Sequence, residues 1–274
     1  MGLGFILQPR RLLAGQLSAS ATAGINAAFP VTALLDAQPK AIVQTNVSGS
    51  APFSLTLDLD FGADVPMDTL ALMFANVSAA ASWTVHATAG AAALTEVAGN
   101  LLASGAFGQP SQVPGRGRHG LWAGAAVINR RRVRVRLTEP ALTSPAVISV
   151  GQLLVGERWQ PGDIFGNFEL GTERSIDDRS IKRTLPGGET YVERGARVPG
   201  WSALWSRLSH AEMRRVWGLL ADLGLSQPLL MVEDPDNVPG QNEAMHYGMI
   251  ERLEPVSRTQ DDKNRIDLTI REML

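Results

Sequence analysis

A chain of 274 residues, 45% hydrophobic and 19% charged, is long enough for two packed domains and too apolar to be a disordered polypeptide. It has no cysteine, which excludes a disulfide framework and any thiolate metal site. A formal net charge of −2 argues against general affinity for nucleic acid or anionic membrane, and no run approaches the roughly 20 apolar residues of a membrane-spanning helix. His86, His119, His210 and His246 lie far apart without ligand spacing, so no metal or cofactor is expected. Met1 to Leu7 is apolar, but Arg10 and Arg11 follow it instead of preceding it. Leu12 to Leu17 is too short and too polar for a signal-peptide core, so synthesis in the cytosol without an export signal is expected.

The first elements along the chain have a period of two. Phe53, Leu55, Leu57, Leu59 and Phe61 share one strand face, and Ser54, Thr56, Asp58 and Asp60 share the other. Leu70 to Phe74 is almost wholly apolar and suits a strand buried on both faces. Trp83 and Val85 alternate with Thr84 and His86; Val133, Val135 and Leu137 alternate with Arg132, Arg134 and Arg136; Val147 to Val155 closes the set. Several short strands joined by Gly-, Ala-, Ser- and Pro-rich links, such as Ser104 to Gly120, predict a sandwich of two sheets.

Charge then changes abruptly. Residues 1–156 hold ten Lys/Arg and seven Asp/Glu, whereas residues 157–274 hold fifteen and twenty. The join falls in Val155 to Gly162, which Pro161-Gly162 punctuates. Beyond it the expected strands are Gly166–Leu170, Ile176–Arg183, Thr190–Val198, Trp201–Leu208, Leu229–Glu233, Met245–Leu253 and Asn264–Ile270. One helix stands among them. Ser209 and Glu212 form a capping box, Leu208 and Met213 occupy staple positions, and Gly224 ends the helix. Met213, Val216, Trp217, Leu220 and Leu223 are expected as its buried face.

Motifs for catalysis are scarce. Gly115-Arg116-Gly117-Arg118-His119-Gly120 fits G-x-G-x-x-G, yet Pro-rich sequence precedes it and β-like Leu121-Trp122 follows, so a loop is expected. Asp234-Pro235-Asp236-Asn237 resembles the start of a calcium loop, but Pro239 and Met245 stand where Gly and Glu are required. The adjacent pairs Asp177-Asp178 and Asp261-Asp262 would face opposite ways in an extended chain and make poor acid–base couples. No catalytic residue is assigned, and the expectation is a protein without enzymatic activity.

Two features carry interaction signals. Arg130, Arg132, Arg134 and Arg136 share one face of a strand, with Arg131 on the other. They fit either an acidic partner surface or a solvated face neutralised by Asp58 and Asp60. Trp201 and Trp205 straddle a strand and fit either an interface or the core.

Phe29-Pro30-Val31-Thr32-Ala33-Leu34-Leu35-Asp36, Ser54 to Phe61 and Asp68 to Ser78 together resemble the discoidin-like, galactose-binding jelly roll. Trp83 to Thr88, Arg132 to Leu137 and Ile148 to Gly156 continue the pattern, although no residue matches a defined sugar-binding motif. The chain as a whole resembles minor tail proteins of siphophage-like tails and prophages. Leu229 to Pro235 and Tyr247 to Leu253 are the segments most similar to distal-tail modules. The resemblance implies a mainly β fold: an N-terminal arm over 1–24, a jelly-roll β-sandwich over 25–157, and a β-sandwich or barrel over 158–274 with a packed helix over 209–223. It further implies a structural component of a phage tail tip or baseplate, made in the host bacterial cytoplasm and located in the virion. Such a protein would form a trimeric or hexameric ring and contact tail tube, tape-measure and hub proteins. It would display its jelly roll outward, toward a host surface glycan. The alternative is a glycan-binding module or accessory protein outside any virion.

Overall fold

The computed structural model describes residues 4–47, 51–109, 117–140, 147–162, 173–253, 257–260 and 263–273. It is mainly antiparallel β-structure and divides into two units: residues 1–160 with 230–245, and residues 161–229 with 246–274. The second unit therefore does not begin at one join and run to the end, because the chain returns to the first unit at residue 230.

In chain order the first unit contains β1 (Phe5–Leu7), β2 (Leu17–Ala21), β3 (Val43–Gln44), β4 (Phe53–Ala75) and β5 (Ser82–Thr88). It continues with β6 (Leu101–Ala106), β7 (Arg118–Glu139), β8 (Ser149–Val150), β9 (Gln152–Gly156) and β10 (Arg158–Trp159). The main sheet has the order β2-β4-β7-β5-β6, with β9 also paired to β4, and β3 pairs with β8. The stretch expected as an N-terminal arm holds two strands. Phe5, Ile6 and Leu7 are fully buried, because β1 lies between β10 and Leu230–Val232, and β2 extends the main sheet beside β4.

β4 follows the sequence pattern closely. Phe53, Leu55, Leu57, Leu59 and Phe61 are buried while the residues between them remain partly exposed, and from Met67 to Met73 every residue is buried. Between these halves the ladder with β7 breaks from Asp60 to Val65. Gly62 sits there at φ +79°, a left-handed conformation that costs glycine little, and such an interruption bends a strand. The sandwich core brings Leu55, Leu57 and Leu59 together with Val133, Val135 and Leu137 of β7 and Trp83 and Val85 of β5. Val43, Val150, Leu153 and Val155 join the same core.

The second unit opens with β11 (Glu173–Asp178), β12 (Ile181–Thr184), β13 (Thr190–Glu193), β14 (Arg197–Leu208) and α1 (His210–Leu223). β15 (Pro228–Val232) and α2 (Gln241–Ala244) then carry the chain back into the first unit, and β16 (Met245–Leu253), β17 (Ser257–Gln260) and β18 (Lys263–Glu272) complete the second unit's sheet. Its strand order is β16-β18-β14-β11, with β17 on β18. The expected strand Gly166–Leu170 and the Asp261-Asp262 pair lie outside the described residues. The expected strand over 176–183 is divided between β11 and β12.

α1 carries the expected capping box. The Ser209 hydroxyl accepts the Glu212 N–H at 3.3 Å, and Glu212 accepts the Ser209 N–H at 2.8 Å. Gly224, at φ +54°, closes the helix through its N–H to the Leu220 carbonyl. Met213, Val216, Leu220 and Leu223 are buried. Trp217 is not: it is 54% exposed, which corrects its assignment to the buried face. At about 100° per residue those four side chains centre between Val216 and Leu220, leaving Trp217 roughly 80° to one side.

Candidate binding site

The solvent side of the main sheet in the first unit is a lattice of arginines and carboxylates. Strand pairing creates it: Asp58 stands opposite Arg134, Asp60 opposite Arg132, and Thr56 opposite Arg136. Directly opposed residues in an antiparallel pair project to the same side, so the period that sends Leu57 and Val135 inward brings these groups together outside. Arg134 grips Asp58 through Nε at 2.6 Å and Nη2 at 2.8 Å, a bidentate fork. Arg132 Nε donates to Asp60 at 2.9 Å. Strict alternation puts Arg131 on the far face, yet its Nε reaches Asp60 at 2.8 Å. The break in the ladder after Asp60 gives it that access. Arg130 stands apart, with Nη1 donating to the Asn129 carbonyl at 2.8 Å.

The connection after β5 crosses this face. Gly90 N–H donates to Asp64 at 2.7 Å, and Arg132 Nη1 reaches the carbonyls of Ala92 at 3.0 Å and Ala91 at 3.3 Å. Glu96 accepts from Arg136 at 2.9 Å and from Arg134 at 3.3 Å. Hydrogen bonds from Arg131, the Gly62 amide and Arg132 hold the Asp60 carboxyl far below the usual carboxylate range. Burial by itself would raise Glu96, but Arg136 and Arg134 outweigh it and lower its pKa. Reciprocally, Asp60 raises Arg131, and Asp58 raises Arg134.

Between the connection and the start of β2 runs a groove of about 300 Å³. Gln16, Ser18, Asp58, Asp60, Arg132 and Arg134 supply its polar lining and Leu94 an apolar edge, while Leu17 and Leu59 border it with side chains turned to the core. Donors and acceptors thus alternate at fixed positions. Each guanidinium is balanced by a carboxylate, so the groove offers directional hydrogen bonds and little net charge. A carboxylate held as Asp60 is keeps its charge and is poorly suited to act as a general acid.

Of the sequence candidates, the structure brings Arg132, Arg134 and Arg136 into this lattice, and the first two line the groove. Trp201 and Trp205 lie elsewhere, in the second unit, 1% and 0% exposed, and their reading as partner contacts is corrected. β14 pairs them with Ile270 and Ile266 of β18, and the Trp201 ring stacks on His246 at 5.0 Å. His246 in turn meets Glu272 at 2.5 Å. Of the G-x-G-x-x-G stretch, Gly115 and Arg116 lie outside the described residues, while Arg118 to Gly120 begin β7. Asp234 to Asn237 form a turn in which Asp234 accepts the Asp236 N–H at 3.1 Å. Among the described residues no cluster of potential metal ligands occurs, and no helix is long and apolar enough to cross a membrane. Sequence reasoning missed Gln16, Ser18 and Glu96. Gln16 and Glu96 come from connections outside the strands, and Ser18 from β2 opposite Asp58, a pairing that no local periodic signal encodes.

About half of the chain is similar to solved carbohydrate-binding modules. One is chitosan-binding module 1 of a chitosanase/glucanase from Paenibacillus sp. IK-5, at 16% identity and a TM-score of 0.39, covering 55% of this chain and 99% of that one. Another is a family 32 carbohydrate-binding module from C. perfringens in complex with galactose, at 17% identity and a TM-score of 0.37, covering 52% and 93%. About half of the chain is also similar to part of a GH29 fucosidase from Ruminococcus gnavus, at 12% identity and a TM-score of 0.36, covering 53% of this chain but 26% of that one. No protein-family model matches the chain. No curated protein matches it either.

Proposed function

We propose that the chain is a non-catalytic binding protein whose first unit takes a neutral, polyhydroxylated ligand, a carbohydrate, in the groove above the arginine–carboxylate lattice. The groove itself carries this reading. Sugar hydroxyls both donate and accept hydrogen bonds, which suits alternating guanidinium and carboxylate groups, and a sugar C–H face suits Leu94. The near balance of charge favours a neutral ligand over an anion.

The test is calorimetric or NMR titration with galactose and chitosan oligosaccharides, the sugars named for two of the similar modules. Binding by the wild type and at least tenfold weaker binding by Arg134→Gln, with an unchanged far-UV spectrum, is the expected result. Binding indifferent to that substitution, or no binding across the panel, would overturn the site.

A second reading concerns assembly. We propose that the protein serves as a subunit of a multi-copy structure, a phage tail tip with trimeric or hexameric order in contact with tail tube, tape-measure and hub proteins. What supports assembly is an exposed hairpin in the second unit, whose strands β12 and β13 are exposed throughout, and the tail tip rests on the family resemblance alone. Mass spectrometry of purified particles tests this reading, and absence of the chain from them would remove it.

A further inference from the structure

The arginine row belongs to a wider pattern than the groove uses. β5 pairs with the other side of β7, and its register sets Thr88 opposite Arg132, His86 opposite Arg134 and Thr84 opposite Arg136. Across β4, β7 and β5 the outer side of the sheet therefore reads Asp60-Arg132-Thr88, Asp58-Arg134-His86 and Thr56-Arg136-Thr84 in successive rows. The groove draws on β4 and β7 and takes nothing from β5. Yet His86 and Thr88, on the outer side of a sheet, are each only 7% exposed.

The connection from Ala89 to Asn100 is what covers them. It leaves the end of β5 and turns back across the same rows. The Thr88 hydroxyl meets the Ala92 carbonyl at 3.5 Å, Arg132 reaches the carbonyls of Ala91 and Ala92, and Arg134 and Arg136 both reach Glu96. The Gly90 amide on Asp64 completes the hold. All of these contacts are polar. From Ala89 to Gly99 every residue is exposed except Leu94, which is half-buried, so no apolar anchor fixes the cover. Exposed ion pairs are individually weak, and a segment with few buried apolar contacts opens at much lower free energy than the whole domain.

Beneath the cover, Nδ1 of His86 is buried and meets no hydrogen-bond partner among the described residues. A buried polar atom without a partner costs free energy that hydration on opening relieves. The lattice itself survives such an opening, because Arg134 keeps its fork on Asp58 and Arg132 keeps Asp60.

We propose that the connection is a displaceable cover, and that lifting it adds Thr84, His86 and Thr88 to the floor of the groove. Two hydroxyls and a ring nitrogen then extend the polar floor past the arginine row. A floor that crosses three strands fits an oligosaccharide laid across them better than a single sugar. This role rests on the carbohydrate reading of the groove and sets the length of its ligand.

The chain has no cysteine, so one introduced thiol reports its own position. Thr88→Cys places it under the cover, and Val135→Cys places it in the core, where only unfolding of the unit exposes it. In the full-length protein a maleimide should label Thr88→Cys at least tenfold faster than Val135→Cys. Adding Glu96→Gln should speed the labelling of Thr88→Cys at least tenfold while keeping the wild-type circular dichroism. Equal rates at the two thiols, or a rate indifferent to Glu96→Gln, would overturn the cover. Ligand length is read by calorimetry with chitosan oligosaccharides of graded length. Wild-type affinity should rise with length, and His86→Ala should cut the preference for the longest over the shortest at least fivefold. A preference that survives that substitution would overturn the extended floor. No binding at any length would remove the carbohydrate reading and the extended floor with it, while the labelling still decides the cover.

Discussion

Two tryptophans of the second unit should respond very differently to truncation. Trp205 is fully buried beside Ile266 of β18, whereas Trp217 leaves 54% of its surface in solvent. A buried aromatic side chain removes about 150–250 Å² from water, and at roughly 25 cal/mol per Å² this amounts to about 4–6 kcal/mol. Truncations of this kind cost about 3–5 kcal/mol in practice, and we expect Trp205→Ala to fall in that range. Trp217 covers less than half as much surface, which sets an upper bound of about 2–3 kcal/mol. Partial burial in the denatured chain lowers that figure, and alanine's better helix propensity returns several tenths. The expected loss for Trp217→Ala is therefore about 1–2 kcal/mol. Guanidinium unfolding followed by far-UV circular dichroism reads both losses, provided the second unit's transition is fitted by itself. Equal losses, or a larger one for Trp217, would refute the orientation assigned to α1.

Asp60→Asn should reduce the stability of the first unit at neutral pH and low salt, and less so at high salt, because the lost ion pairs are partly screened. Since the Asp60 pKa is depressed in the folded state, its contribution is complete above about pH 4 and is lost as pH falls through the folded value. The gap between wild type and variant in chemical unfolding should accordingly narrow in acid. Ser209→Ala should cost about 1 kcal/mol by removing the N-cap acceptor of α1, measured by the same unfolding method. It should also shrink the acid dependence that Glu212 contributes. Burial raises the pKa of Glu212, but the Ser209 hydroxyl and the Gly162 and Ser209 amides outweigh it, so the contribution is lost below about pH 4.5.

Where a single physical rule dominates, sequence and structure agree. The alternation of Phe53 to Phe61 places five side chains in the core because a strand offers two faces and one is covered. The Ser209–Glu212 box forms because its two hydrogen bonds are local. Agreement ends where tertiary contact decides. Trp217 has the spacing of a core residue, but a stripe of four neighbours already fills the buried side. Arg131 has the parity of the opposite face, but a break in the ladder brings its guanidinium to Asp60. The row Arg130, Arg132, Arg134 and Arg136 announces a charged face in the sequence. Which carboxylate meets which arginine depends on a pairing between segments some seventy residues apart.

The lattice also bears on how tightly the proposed site could bind. Immobilising a long side chain costs about 0.5–1.5 kcal/mol when a ligand must do it. Here Arg134 is already held by Asp58 and Glu96, and Arg132 by Asp60 and the Ala91 and Ala92 carbonyls, so much of that cost falls within folding. The same bonds engage groups that would otherwise be free for ligand, so each sugar hydroxyl competes with an internal partner or displaces a bound water. Preorganisation and prior engagement oppose each other, so weak single-site affinity is expected of the proposed groove of about 300 Å³. Weak sites gain force through repetition. Linked binding can exceed a single affinity by about 10²–10⁴-fold when the geometry permits simultaneous engagement.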